Sequence, residues 1–278
     1  MSVVPSSIRA MTPSATRLTF DDYLDHIGSE SARFRAVLAD CDPTARVPAC
    51  PDWHAGDLLW HLTDVQWFWS RIIAERPAGP EHLEHPERPP TYDGLLEAFD
   101  GASTALTAAL RSTDPAEVAW SWAPEQTTGF TFRRQAHEAL IHRLDAEQTA
   151  GVVTPLDPAL ATDGVEECLA VMYGGCPPWG RFTPGGDRVR LDLTDVGESL
   201  WVALGRFTGK DPDTDTVYDE PDLSVVDDPG VEPAVVIRAG AGDLDAWLWN
   251  RSPGSVVEMS GDPDALAVLT GILNQAIN

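Results

Sequence analysis

The sequence changes its period once, and that change limits the folds open to the chain. Up to about residue 173 the apolar residues recur every three or four positions, as on one face of a helix. Beyond Gly174-Gly175-Cys176-Pro177-Pro178 they alternate, as in a strand. Phe20 to Cys41 puts Tyr23, Ile27, Ser31, Phe34, Val37, Leu38 and Cys41 on one stripe. Pro43, Pro48 and Pro51 interrupt it. A second helix is expected from His54 to Ala74, with Leu58, His61, Leu62, Val65, Trp69 and Ile72 inward. A third is expected from Thr91 to Ser112, capped by Thr91 after a Pro-rich loop. A fourth runs from Phe132 to Ala150 and ends at Gly151. A fifth follows Asp157-Pro158 and reaches Tyr173. Four or five such helices make a bundle.

Arg188 to Val196 and Leu200 to Phe207 read as a hairpin around Gly197. The acidic, Pro-containing stretch from Gly209 to Pro233 reads as a solvated loop. Ala234–Ala239 and Val256–Met259 read as strands, Asp243–Asn250 as a short helix, and Asp262-Pro263 as the start of a last one. The expected fold is therefore α plus α/β. A flexible leader (1–19) precedes a helical bundle (20–178) and a small α/β domain (179–278) with its helices on one face of the sheet.

Charge excludes some functions. With 44 acidic and 19 basic residues, the formal net charge is -25. Such a chain cannot readily neutralise phosphates, so neither nucleic acid nor an anionic membrane surface is an expected partner. No stretch is apolar enough to span a bilayer, and the N-terminus lacks the apolar core of a signal peptide. A cytoplasmic protein, monomer or homodimer, is expected. Cys41, Cys50, Cys168 and Cys176 form no CxxC pair, which argues against a structural zinc site or a disulfide framework. Lys210 is the only lysine, so Schiff-base chemistry is not expected.

The chemistry-bearing run lies in the fourth helix. Arg134, Glu138, His142 and Asp145 follow one another at spacings of four, four and three, which places them on one face. Leu140 and Leu144, with Ala136 and His137, form a separate apolar strip. Alone, the polar face reads equally as a solvated surface with Glu–Arg and His–Asp pairing. His61 adds to it, because it lies on the inward stripe of the second helix. One inward His there and an inward Glu-x-x-x-His on another helix supply three ligands, His61, Glu138 and His142, for an open metal site. Two nitrogens and one oxygen suit zinc, with nickel, iron, manganese or cobalt as alternatives. Asp145 can then orient His142 or contact a ligand beside the metal.

The run Val47-Pro-Ala-Cys-Pro-Asp-Trp53, with Asp57-Leu-Leu-Trp-His61-Leu, resembles the opening signature of the mycothiol-dependent maleylpyruvate isomerase family. Glu138-Ala-Leu-Ile-His142-Arg-Leu-Asp145 resembles its second signature. Gly242-Asp-Leu, Leu248-Trp-Asn-Arg251 and Val257-Glu-Met-Ser-Gly-Asp262 resemble its C-terminal module. The resemblance implies a DinB-like metal-binding bundle followed by a sterol-carrier-like domain. It also implies zinc on His61, Glu138 and His142, and mycothiol as the thiol cofactor. Asp145 would lie near the site, contacting cofactor together with Arg134. An arginine of the second domain would reach the substrate, Arg251 first and Arg238 in reserve. His54 departs from the pattern, where a small hydroxyl residue is usual, and reads as a cap substitute. Trp60 and Trp67 read as packing, though with Trp69 they are bulky enough to reshape a pocket. The expected activity is thiol-dependent cis–trans isomerisation or S-transfer on a small carboxylate. A metal-dependent hydrolase and a non-enzymatic ligand-binding bundle are the alternatives.

Overall fold

A computed structural model describes residues 16–275. The expected leader lies largely outside the described residues. Helix α1 (Phe20–Ala39) starts at a capping box in which Thr19 and Asp22 each accept from the other's backbone. It buries Tyr23, Ile27, Phe34, Val37 and Leu38, each such side chain contributing about 1.5–3 kcal/mol relative to exposure. A short hairpin, β1 (Arg46–Val47) and β2 (Cys50–His54), occupies the stretch that the prolines marked only as a break. Helix α2 (Ala55–Glu75) begins where the Asp57 carboxylate accepts from the His54 backbone N–H at 2.9 Å. His54 is thus the cap residue. Helix α3 (Tyr92–Arg111) is capped by Thr91.

Helix α4 (Thr128–Ala150) is capped by Thr127 and closed by Gly151 in the left-handed conformation, φ 73°. Between Thr128 and Glu147 every residue is buried except Glu138. An apolar strip facing a polar one would have buried far less. The helix instead runs through the middle of the molecule, and each buried charge on it has a partner. Arg133 donates to both oxygens of Asp163 and is paired with Glu166. Arg143 donates to Glu30 and Glu147. His137, placed in an apolar strip from sequence, bonds the same Asp163 at 2.9 Å, and Tyr23 donates to it at 2.6 Å. Removing one partner of such a buried pair costs about 3–5 kcal/mol.

Helix α5 (Pro158–Glu167) passes directly into a π-helical turn, Cys168–Tyr173. Strands β3 (Gly180–Leu193), β4 (Glu198–Lys210), β5 (Val217–Val226), β6 (Val235–Ala239) and β7 (Glu258–Gly261) form one sheet in the order β5-β4-β3-β6-β7. Only the β3–β6 pairing is parallel. The loop expected over Gly209–Pro233 is replaced in part by β5, which pairs along β4 from Trp201 to Lys210. Its acidic residues and Pro221 suit an edge strand, where one backbone side needs no partner and charge discourages further pairing. Leu223 is its buried anchor.

Helices α6 (Ala241–Leu248) and α7 (Pro263–Leu273) complete the fold. One apolar cluster runs from Tyr23 and Leu140 through Leu160 to Val189, Leu244 and Leu269, crossing from helices to sheet. Helix α5 lies against α6, where Gly164 leaves room for the Asp245 carboxylate. A Cβ at that glycine would come within 2.7 Å of Oδ2. No helix among the described residues is long and apolar enough to cross a membrane.

Both carboxylate oxygens of Asp245 are buried without a hydrogen-bond partner. Burial pushes its carboxyl well above the ordinary value, reinforced by the charge of Glu167 and opposed by Arg134. The folded protein therefore holds this proton above pH 3.8, where the unfolded chain loses it, and stability falls as pH rises from there toward the folded value. Asp245→Asn, which removes the titration at constant size, is expected to gain stability relative to the parent as pH rises. Chemical denaturation of both proteins across pH 5 to 8 (a span of roughly three units above the unfolded value) measures the difference, and a constant difference contradicts this account.

Candidate metal centre

Three side chains from two helices meet at Glu138, the gap in the buried run 128–147 of α4. His61 comes from α2, and Glu138 and His142 lie one turn apart on α4. One ligand atom from each lies within 4.8 Å of the others. His142 Nε2 is 3.0 Å from Glu138 Oε1 and 3.1 Å from His61 Nε2. His61 Nε2 is 3.6 Å from the same carboxylate oxygen. Three donors around a tetrahedral ion at about 2.0–2.1 Å would be spaced by roughly 3.3 Å, so the set fits zinc without rearrangement. The His142 side chain is 8% exposed, that of Glu138 18% and that of His61 35%, so the centre opens on the His61 side. Trp53 stands beside that opening, its ring centroid 4.9 Å from that of His61.

The donor set also fits a cation electrostatically. His142 Nδ1 lies 2.9 Å from Asp145 Oδ2, and an ionised carboxylate can only accept, so Nδ1 carries the proton. In the neutral ring the Nε2 lone pair then faces a carboxylate oxygen and a second imidazole nitrogen. Such an array needs a proton or a metal ion at its centre. Burial alone would lower the His142 pKa, but its hydrogen bonds with Asp145 and Glu138 outweigh that and push it up to about 9. Glu138 is held well below the ordinary carboxylate value. Burial opposes this, and bonds from His142 and His61 with the charge of Arg134 overcome it.

Behind the ligands stands a layer of ion pairs. Arg251, from the loop after α6, donates Nε–H to Asp145 Oδ1 and Nη2–H to Oδ2, both at 3.0 Å. Arg251, expected to reach substrate, here makes a bidentate grip on the residue whose carboxylate bonds His142. Asp145 is wholly buried between the two. Arg134, expected beside the cofactor, is 4% exposed and lies between Glu138, at 2.9 Å, and Glu167, with its guanidinium 5.1 Å from the centre of the Trp249 ring. Its place is behind Glu138. Arg238 is exposed on β6, in register with Asp192 and Glu258. Trp60, on α2, is half-buried against the apolar cluster that contains Leu58 and Leu59, Trp67 meets His85 and Trp69 is buried. Sequence reasoning gives no role to Glu167, Trp249 or Trp53, the two tryptophans standing there only within the family-like runs. Trp53 immediately precedes the capped start of α2, which was a usable signal. The other two carry no local pattern pointing to α4.

The family model described as the mycothiol maleylpyruvate isomerase N-terminal domain matches residues 24–147, and the one described as the MDMPI C-terminal domain matches residues 159–267. Two solved structures are similar in fold at 13% sequence identity, each alignment covering 87% of this chain and 93% of the other. One is a histidine-to-alanine mutant of the mycothiol-dependent maleylpyruvate isomerase, with a TM-score of 0.57. The other is that isomerase itself, with a TM-score of 0.53. A comparison with curated protein sequences finds no match.

Below about pH 9 the proton on His142 competes with a metal ion. Zinc affinity, measured by competition with a chromophoric chelator, is therefore expected to rise roughly tenfold per pH unit from about pH 6 and to level off near 9, with proton release on binding. Affinity independent of pH over that range contradicts the assignment of His142 as a ligand.

Proposed function

The chain belongs to the mycothiol maleylpyruvate isomerase family, and on that premise we propose that it holds a divalent metal, zinc first, on His61, Glu138 and His142. With that metal it would use mycothiol to isomerise a small carboxylate-bearing substrate with a cis double bond. The observation that carries this reading is the convergence of one ligand atom from each of these three residues within 4.8 Å, with one side left open. A bound metal keeps a coordinating thiol ionised at neutral pH, and the thiol supplies a nucleophile that adds reversibly to the double bond so that it re-forms as trans.

The protein's own residues prepare that chemistry. Asp145 holds the proton on His142 Nδ1 and keeps the Nε2 lone pair directed at the ion. Arg251 locks Asp145 in place and compensates its buried charge. Arg134 occupies Glu138 Oε2, so that Oε1 alone is presented to the metal side. Thiol and substrate would approach along the exposed edge of His61, beside Trp53. The same geometry serves S-transfer if the substrate carries a leaving group. Comparing product from maleylpyruvate with product from a halogenated electrophile, each with mycothiol, decides which reaction the protein performs.

His142→Ala is expected to lose bound metal and metal-dependent mycothiol binding while keeping its helical circular dichroism. One retained equivalent of zinc by elemental analysis would sink the ligand assignment. Arg251→Ala leaves the Asp145 charge buried with one partner fewer, so metal affinity and turnover should fall together. Reduced turnover at unchanged metal affinity would instead place the Arg251 guanidinium on the substrate.

A further inference from the structure

The Glu138 carboxylate is divided between two tasks. Its Oε1 faces His142 and His61, and its Oε2 accepts from Arg134 Nη2 at 2.9 Å. Arg134 is itself divided. Its Nη1 is paired with Glu167 Oε2, and its guanidinium lies 5.1 Å from the Trp249 ring centre. Glu167 is 1% exposed, and its second oxygen is buried with no hydrogen-bond partner, so Arg134 is its hydrogen-bonding partner. Glu167 is the last α-helical residue before the π-helical turn that starts at Cys168. Such turns occur often at functional sites.

Resting on the metal-centre reading above, we propose that Glu167 and Trp249 are positioning residues for the metal ligand Glu138, acting through Arg134. Two buried carboxylates share one guanidinium. Glu167 draws the arginine's charge partly to itself and so leaves Glu138 with more negative charge to offer an ion. Trp249 supports the guanidinium face and limits where the fork can point. With Glu167 neutral, Arg134 would bind Glu138 more fully and make it a poorer metal ligand. With Trp249 gone, the fork would lose its support and no longer fix Glu138 Oε2, so that Oε1 would be free to turn away from His61 and His142. Trp249 follows α6 directly and lies two residues before Arg251, so one short segment after α6 supports His142 through Asp145 and Glu138 through Arg134.

The test uses the full chain, zinc competition titration, and the d–d absorption spectrum of the cobalt(II)-loaded protein. Glu167→Gln is expected to weaken zinc binding about 10- to 100-fold and to alter the cobalt spectrum, as loss of a residue supporting a ligand does elsewhere. Glu166→Gln removes a neighbouring buried carboxylate that serves Arg133, and it should leave both readouts near the parent's. Trp249→Leu should weaken zinc binding and Trp249→Phe should restore it. A Glu167→Gln protein with parental affinity and spectrum overturns the proposal, as does an equal loss in Glu166→Gln. Should Glu167→Gln fail to fold, the tryptophan pair decides, and indistinguishable Leu and Phe variants overturn it. A parent protein that binds neither zinc nor cobalt overturns the metal-centre reading itself, a failure visible before any variant is compared.

Discussion

A helix buried on every side cannot carry an unpaired charge, and α4 carries many. Leaving an ionised group in the interior without a partner costs far more than the few kcal/mol by which a domain is stable. The structure answers by bringing a counter-charge to each one: Asp163 and Glu166 to Arg133, Glu167 to Arg134, Glu30 to Arg143, Arg33 to Glu147, and Arg251 to Asp145. These partners come from α1, from α5 and from the loop after α6. The pairing on α4 therefore ties the first helix of the chain to the segment that follows the sheet. Glu138 is the exception in that run, partly open to solvent, and the centre forms around it.

The layers of the centre follow from that arrangement. The candidate ligand atoms face one another at hydrogen-bond range, with two imidazoles and a carboxylate sharing a space suited to one positive charge. Behind them, Asp145 and Arg134 each touch one ligand on one side and a residue from beyond α4 on the other. The sheet-bearing part of the chain thus meets the centre from the back, through ion pairs. Substrate and thiol would enter from the opposite side, past His61 and Trp53.

Much of the fold was legible because periodicity and caps are local signals. Thr91, Gly151, Asp157-Pro158 and Asp262-Pro263 lie at helix ends where a cap, a left-handed glycine or an N-terminal proline is favourable. The spacing of Glu138, His142 and Asp145 is enough by itself to place them on one helical face, and His61 stands out as a polar residue on an apolar stripe. Strand β5 was not legible. Its acidic residues and Pro221 look like a loop until β4 is seen to supply its hydrogen bonds. Nor was the burial of α4, since the face of Arg134, Glu138, His142 and Asp145 reads equally as solvated, and Arg133 and Arg143 carry no pattern of their own, unless Asp163, Glu167 and Glu30 are known to lie against them. The partners of Arg134 and Arg251 were hidden for the same reason. A side chain's charge is visible in sequence, but the partner that engages it is set by tertiary contact.

Anomalous scattering at the zinc edge from crystals of the zinc-loaded protein tests the central claim most directly. The account predicts one strong peak bonded to His61 Nε2, His142 Nε2 and Glu138 Oε1, with the remaining position toward solvent. A peak on any other set of side chains, or none between α2 and α4, would contradict it.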